Sequence, residues 1–97
     1  VYPEEVEEAL KGHPSVADAA VVGVPDERFG EAITALVEAH SGHTVDESAL
    51  IAHVKSALAA YKAPKRVLEI SSIGRAPNGK LDYKRLKSEA LERLGLA

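Results

Sequence analysis

The segment Arg75-Ala76-Pro77-Asn78-Gly79-Lys80 sets a lysine at the exit of a tight turn. Pro77 presets one turn angle, and Gly79 permits a positive φ at no steric cost. The backbone behind Lys80 is therefore stiff, and a lysine so held is a good point charge for phosphate or carboxylate oxygens. By itself the pattern also fits a plain hairpin turn with a solvated lysine beside it. Other chemistries have less support. His13, His40, His43 and His53 lack metal-ligand spacing, such as two histidines four apart on one helix, and read as solvated or capping side chains. No serine lies in a nucleophile elbow, and without Cys there are no disulfides and no thiolate sites. The run Glu4, Glu5, Glu7, Glu8 reads as a solvated helix face that offsets the helix dipole.

The elements that must hold the lysine loop follow from periodicity. Pro3 suits the first turn of a helix whose apolar stripe is Val6, Ala9 and Leu10 and which Gly12 and Pro14 end. Residues 16–24 are apolar on both faces and rich in Val, which predicts a central strand. After a turn at Pro25-Asp26, Ile33, Ala35, Val37 and Ala39 share one face, which predicts a second strand antiparallel to the first. Thr44 and Glu47 make a capping box for an amphipathic helix with Leu50, Ile51, Val54, Ala57 and Leu58. That helix should stop near Tyr61, because Pro64 disfavours helical angles at Ala63. Residues 66–70 form a short third strand and 71–79 the loop, and Asp82 caps a last helix bearing Leu86, Ala90, Leu91 and Leu94. The class is α+β: a small, mostly antiparallel three-stranded sheet packed with about three helices.

A chain of 97 residues suits one domain with a modest core. With one Phe and no Trp, that core must rest on Val, Leu, Ile and Ala. No apolar run reaches the length of a membrane span, and no basic segment leads into an apolar one at the N-terminus. Together with the lack of Cys, this predicts a cytoplasmic setting. The start Val1-Tyr2-Pro3-Glu4-Glu5 enters a helix without a leader, as expected of a chain cut from something longer. The net charge of -3 hides an asymmetry: two basic against eleven acidic side chains in residues 1–50, and ten against four in residues 51–97. The basic half either offers a surface to an anion or pairs with the acidic half inside the fold.

Four stretches carry a resemblance. Pro77-Asn78-Gly79-Lys80, followed by Leu81-Asp82 and a basic helix start, resembles the last core motif of the adenylate-forming superfamily. That superfamily includes acyl- and aryl-CoA ligases, peptide-synthetase adenylation domains and luciferases. Val1-Tyr2-Pro3-Glu4-Glu5-Val6-Glu7 resembles the segment after its interdomain hinge. Val21-Val22-Gly23-Val24-Pro25-Asp26 with Arg28-Phe29-Gly30-Glu31 resembles a strand, turn and strand of its small domain. Leu58-Ala59-Ala60-Tyr61-Lys62-Ala63-Pro64-Lys65 resembles the helix end before the third strand. The four occur in the family's order over nearly the whole chain.

The resemblance implies that residues 1–97 are the C-terminal small, or lid, domain of an acyl-CoA ligase whose large N-terminal domain is absent. Such enzymes join a carboxylic acid to Mg-ATP, giving an acyl-adenylate and pyrophosphate, and then pass the acyl group to CoA. Lys80 matches the motif lysine, the catalytic residue of the first half-reaction, with Gly79 beside it. Tyr61, Lys62 and Lys65 match positions that contact the CoA nucleotide. ATP, Mg2+ and CoA are therefore the implied cofactors, with sites mostly in the missing domain, so the isolated chain should be inactive. Comparable lysines are acetylated in some CoA ligases, which extends to Lys80. Two other readings stay open: a lid that loads a carrier-protein thiol, and a free-standing noncatalytic module that binds a nucleotide, a nucleic acid or an acidic partner. Nucleic acid is not an expected partner, because Tyr61 and Tyr83 do not form an aromatic-basic stacking face.

Overall fold

The computed structural model describes residues 3–26 and 30–96, so Val1 and Tyr2 of one quoted motif, and Arg28 and Phe29 of another, lie outside the described residues. The elements run α1 (Pro3–Lys11), β1 (Val16–Asp26), β2 (Gly30–Ala39), α2 (Glu47–Ala57), a 3-10 turn (Ala60–Lys62), β3 (Arg66–Glu69) and α3 (Tyr83–Arg93). The expected α+β class with three strands and three helices is present. The sheet order is β1-β2-β3. β1 and β2 pair antiparallel, with Val21 opposite Ala35, while β2 and β3 pair parallel, with Ala35 opposite Val67. The sheet is thus mixed. A parallel neighbour needs a crossover, and α2 supplies it.

β1 is an edge strand, not the central one its sequence suggests. Its run of apolar residues reflects burial on both faces rather than position in the sheet. On one face α1 and α2 bring Val6, Leu10, Leu50 and Val54 against Val21, Ala35, Val37 and Val67. On the other, α3 and the segment before it bring Ile73, Leu86 and Ala90 against Val22, Val24 and Leu36. Side chains that alternate along β1 and β2 therefore all meet apolar partners, and a core without Trp closes in two thin layers.

Both outer strands turn amide donors outward, and each meets a glutamate. The Val21 N–H donates to Glu7 Oε2 at 2.9 Å, and the Val67 N–H donates to Glu47 Oε2 at 2.9 Å. Each glutamate satisfies one edge amide and so interrupts the template that a bare strand edge offers to other chains. Glu7 is thereby buried, only 5% exposed, which corrects its reading as part of a solvated run. On a helical wheel it borders the apolar arc of Val6, Leu10 and Pro3, on the Pro3 side.

The start of α2 also differs from the capping-box reading. Asp46, not Thr44, is the N-cap, and its side chain accepts the Ala49 N–H at 3.1 Å. Glu47 then sits at the first helical position, where it reaches β3 instead of back to a threonine. α2 ends at Ala57, short of Tyr61, because Leu58 turns to extended angles and packs on the core. The cap at Asp82 is as expected, accepting the Arg85 N–H at 3.1 Å.

Candidate functional site

The loop between β3 and α3 is a closed turn. Gly79 N–H donates to the Ala76 carbonyl at 2.8 Å, and Ala76 N–H donates to the Lys80 carbonyl at 3.0 Å. Gly79 has φ +83°, and nothing lies within 4 Å of where a Cβ would stand. The backbone angle, not crowding, is what calls for glycine there. The Lys80 N–H donates to Asn78 Oδ1 at 3.1 Å, completing an Asx turn. Lys80 itself is exposed, and its ammonium joins none of the ion pairs among the described residues.

Long-range contacts anchor this turn at both ends. Arg75 forks onto Asp18 of β1, with Nε donating to Oδ2 at 2.9 Å and Nη2 to Oδ1 at 2.8 Å, while Nη1 donates to the Gly79 carbonyl at 2.7 Å. The Arg75 guanidinium holds the Asp18 carboxyl below its ordinary value of 3.8. Upstream, Ile73 is fully buried, its N–H donates to Glu38 Oε1, and its carbonyl accepts from Arg85. Downstream, the Tyr83 hydroxyl lies 2.9 and 3.0 Å from the two Glu7 carboxylate oxygens and donates its proton there. Burial pushes Glu7 above its ordinary value of 4.5 against the pull of these hydrogen bonds. Burial, and then the hydrogen bond to Glu7, push the Tyr83 hydroxyl up too, so it stays protonated and remains a donor.

Tyr61, Lys62 and Lys65 gather elsewhere. Tyr61 is 74% exposed on the 3-10 turn. With Lys65, Glu31, Ala32, Ile33 and Ala63 it lines an open groove of about 400 Å³. Lys62 pairs with Glu5 at 2.9 Å, and Lys65 pairs with Asp26 at 2.6 Å. The hydrogen bond to Glu5 raises the Lys62 pKa. Asp18 anchors the Lys80 turn near the start of β1, and Asp26 anchors Lys65 at its end. At about 3.3 Å per residue, the strand sets these anchors roughly 26 Å apart. The structure therefore brings Gly79 together with Lys80, and Tyr61 together with Lys65, but places the two pairs at opposite ends of one strand.

The charge asymmetry is in part internal pairing. Lys62–Glu5, Lys65–Asp26 and Arg75–Asp18 each join the basic half to the acidic half. Among the described residues, no group of three His or carboxylate side chains could hold a metal ion. His53 Nε2 lies 2.9 Å from the Ala9 carbonyl and donates to it, and His13 Nδ1 accepts from Ser15. These histidines tie α1 to α2 and to the start of β1. Sequence reasoning missed Arg75, Asp18, Glu7 and Tyr83. The one signal for them is a charged or phenolic residue beside an apolar stripe, which does not name its partner.

The domain is thus a three-layer α/β/α unit with an exposed lysine, Lys80, on an anchored turn. The chain belongs to the AMP-binding enzyme C-terminal domain family, which residues 5–80 match. The 3-oxocholest-4-en-26-oate–CoA ligase of Rhodococcus rhodochrous is 51% identical over 89 residues, or 92% of this chain and 16% of that protein. The medium/long-chain-fatty-acid–CoA/3-oxocholest-4-en-26-oate–CoA ligase of Mycolicibacterium smegmatis is 48% identical over 93 residues, or 96% of this chain and 17% of that protein. Among solved structures, a Mycobacterium tuberculosis fatty acyl CoA synthetase superposes with TM-score 0.84 at 36% identity, covering 95% of this chain and 18% of that one. The chain thus spans about a sixth of the length of the curated relatives it matches.

Proposed function

We propose that this chain is the C-terminal lid of an ATP-dependent acyl-CoA ligase and that Lys80 is its catalytic residue. The observation that carries the reading is an exposed ammonium on a turn anchored at both ends, in a chain of the AMP-binding enzyme family. In the first half-reaction a carboxylate oxygen attacks the α-phosphate of ATP and pyrophosphate leaves. Two anions must approach, and a cation between them offsets repulsion and holds attack geometry. Lys80 supplies that cation, since an ordinary lysine is charged near neutral pH. It binds the substrate carboxylate and ATP oxygens, and the rigid turn limits the directions in which its side chain leaves the backbone.

In the second half-reaction the thiol of CoA attacks the acyl carbon of the adenylate and AMP leaves. Tyr61 offers an exposed ring for the CoA adenine, and base–aromatic stacking is worth about 1–3 kcal/mol. Lys62 and Lys65 flank it and share their charge between Glu5 or Asp26 and the CoA phosphates. The anchors of the two clusters, Asp18 and Asp26, lie roughly 26 Å apart along β1, which favours a separate lid pose for each cluster. The lid therefore turns between half-reactions.

Among the described residues, no group of three His or carboxylate side chains could hold Mg2+. Asp18 is committed to Arg75, and Glu7 to Val21 and Tyr83. The ion that accompanies ATP, most ATP contacts and the acyl pocket belong to the large N-terminal domain, and the isolated chain is inactive. Among the described residues, no helix is long and apolar enough to cross a membrane. The test is Lys80→Ala in the full-length ligase. Adenylation, read as ATP–pyrophosphate exchange, should fall by about 10²–10³-fold, as for loss of one transition-state donor. An unchanged exchange rate rules Lys80 out, and acyl transfer to a carrier protein but not to CoA selects the carrier-loading alternative.

A further inference from the structure

We infer that Arg75 is a positioning residue for Lys80, itself held in place by Asp18. The inference rests on the role of Lys80 proposed above. The peptide plane between Gly79 and Lys80 carries one acceptor and one donor, and both are restrained. Its oxygen accepts from Arg75 Nη1 at 2.7 Å, and its N–H donates to Asn78 Oδ1 at 3.1 Å. The tilt of that plane sets the direction in which the Lys80 side chain leaves the backbone. Gly79 alone would leave the tilt soft, because glycine tolerates a wide range of angles and has no side chain to pack. Arg75 removes that freedom.

The restraint has a rigid base. Asp18 lies on β1 at the register irregularity between Val16 and Asp18, and its Oδ1 also accepts the Ala19 N–H at 2.9 Å. A bidentate guanidinium–carboxylate pair fixes distance and plane together, which a lysine in place of Arg75 could not do. Arg75 has its Nε and both Nη groups engaged within the fold. It therefore acts on the reaction through Lys80 rather than by touching substrate.

The experiment uses the full-length ligase and two readouts for each variant. One is ATP–pyrophosphate exchange, resolved into kcat and KM. The other is thioester formation from preformed acyl-adenylate. Arg75→Ala should lower the kcat of exchange roughly 10–100-fold, the scale of a small misplacement at a reacting centre. KM for ATP and acid should stay within about twofold, and thioester formation should be unchanged. The double variant Asp18→Arg/Arg75→Asp restores the ion pair between strand and loop, but aspartate cannot donate to the Gly79 carbonyl. Exchange should therefore stay slow in the double variant.

Three results overturn the inference. One is normal exchange in Arg75→Ala while Lys80→Ala is crippled. Another is equal loss in both half-reactions, which marks a lid that no longer folds. The third is recovery of exchange in the charge-swapped double variant, which marks the ion pair alone as what matters. Normal exchange in Lys80→Ala would instead overturn the functional reading beneath it.

Discussion

Replacing Glu7 by alanine should weaken the fold measurably although the residue lies on a helix surface otherwise rich in exposed acids. Glu7 is 5% exposed and accepts from the Val21 amide and the Tyr83 hydroxyl. Without it the Val21 N–H keeps neither its acceptor nor full access to water, at a cost of about 1–3 kcal/mol. Tyr83 is 37% exposed and can turn its hydroxyl to solvent, so its lost bond costs about 0.5–1.5 kcal/mol. Removing a desolvated carboxylate offsets part of this, because burial is the largest influence on Glu7 and raises its pKa. The expected net loss is about 1–3 kcal/mol, out of about 5–15 for a domain of ordinary stability.

Urea unfolding of the chain at pH 7 reads that loss directly, and Glu7→Gln, which keeps one acceptor oxygen, should lose less. The pH dependence has a definite sign. A carboxyl raised above its ordinary 4.5 holds its proton more tightly in the folded chain. Its contribution is therefore full below pH 4.5 and is lost as the pH rises through the folded value. Glu7→Gln should remove that decline. A loss below about 0.5 kcal/mol in Glu7→Ala, with the same pH slope in wild type and Glu7→Gln, would refute the reasoning.

The remaining expectations concern a cap and a charge. Asp46→Ala should cost about 0.5–2 kcal/mol by loss of the α2 cap, whereas Thr44→Ala should be nearly neutral, as compared by thermal unfolding. Asp18 lies below its ordinary 3.8 because of Arg75, so its contribution is present above that pH and is lost as the pH falls through the folded value. Acid titration of Asp18→Asn, followed by circular dichroism, should show less of the acid-induced loss than wild type does.

Local signals placed most elements. The Asp82 cap, the Ile33–Ala35–Val37 alternation and the lysine turn each depend on residues near in sequence, and each stands where periodicity or turn chemistry expects it. The misplacements share one cause, which is a partner far along the chain. Glu47 was legible as a helix-start acid, but its acceptor role lies twenty residues away, at Val67. Glu7 looked like one more exposed glutamate until Tyr83, 76 residues on, buried it. Arg75 and Asp18 are 57 residues apart, and neither is marked by its neighbours. β1 resembled a central strand because a helix covering a face hides it as well as a neighbouring strand hides an edge. The Tyr61 segment was visible only by resemblance, and its separation from Lys80 needed the strand between them.

The central claim is that the two ends of β1 serve different half-reactions, and a paired measurement on the full-length ligase tests it most directly. Lys80→Ala and Tyr61→Ala would each be assayed for ATP–pyrophosphate exchange and for thioester formation from preformed adenylate. The account predicts a double dissociation: Lys80→Ala loses exchange and keeps thioester formation, while Tyr61→Ala keeps exchange and raises the KM for CoA by roughly 5–150-fold, the equivalent of one stacked base. Loss of both activities in both variants, or a Tyr61→Ala enzyme with unchanged KM for CoA, would contradict it.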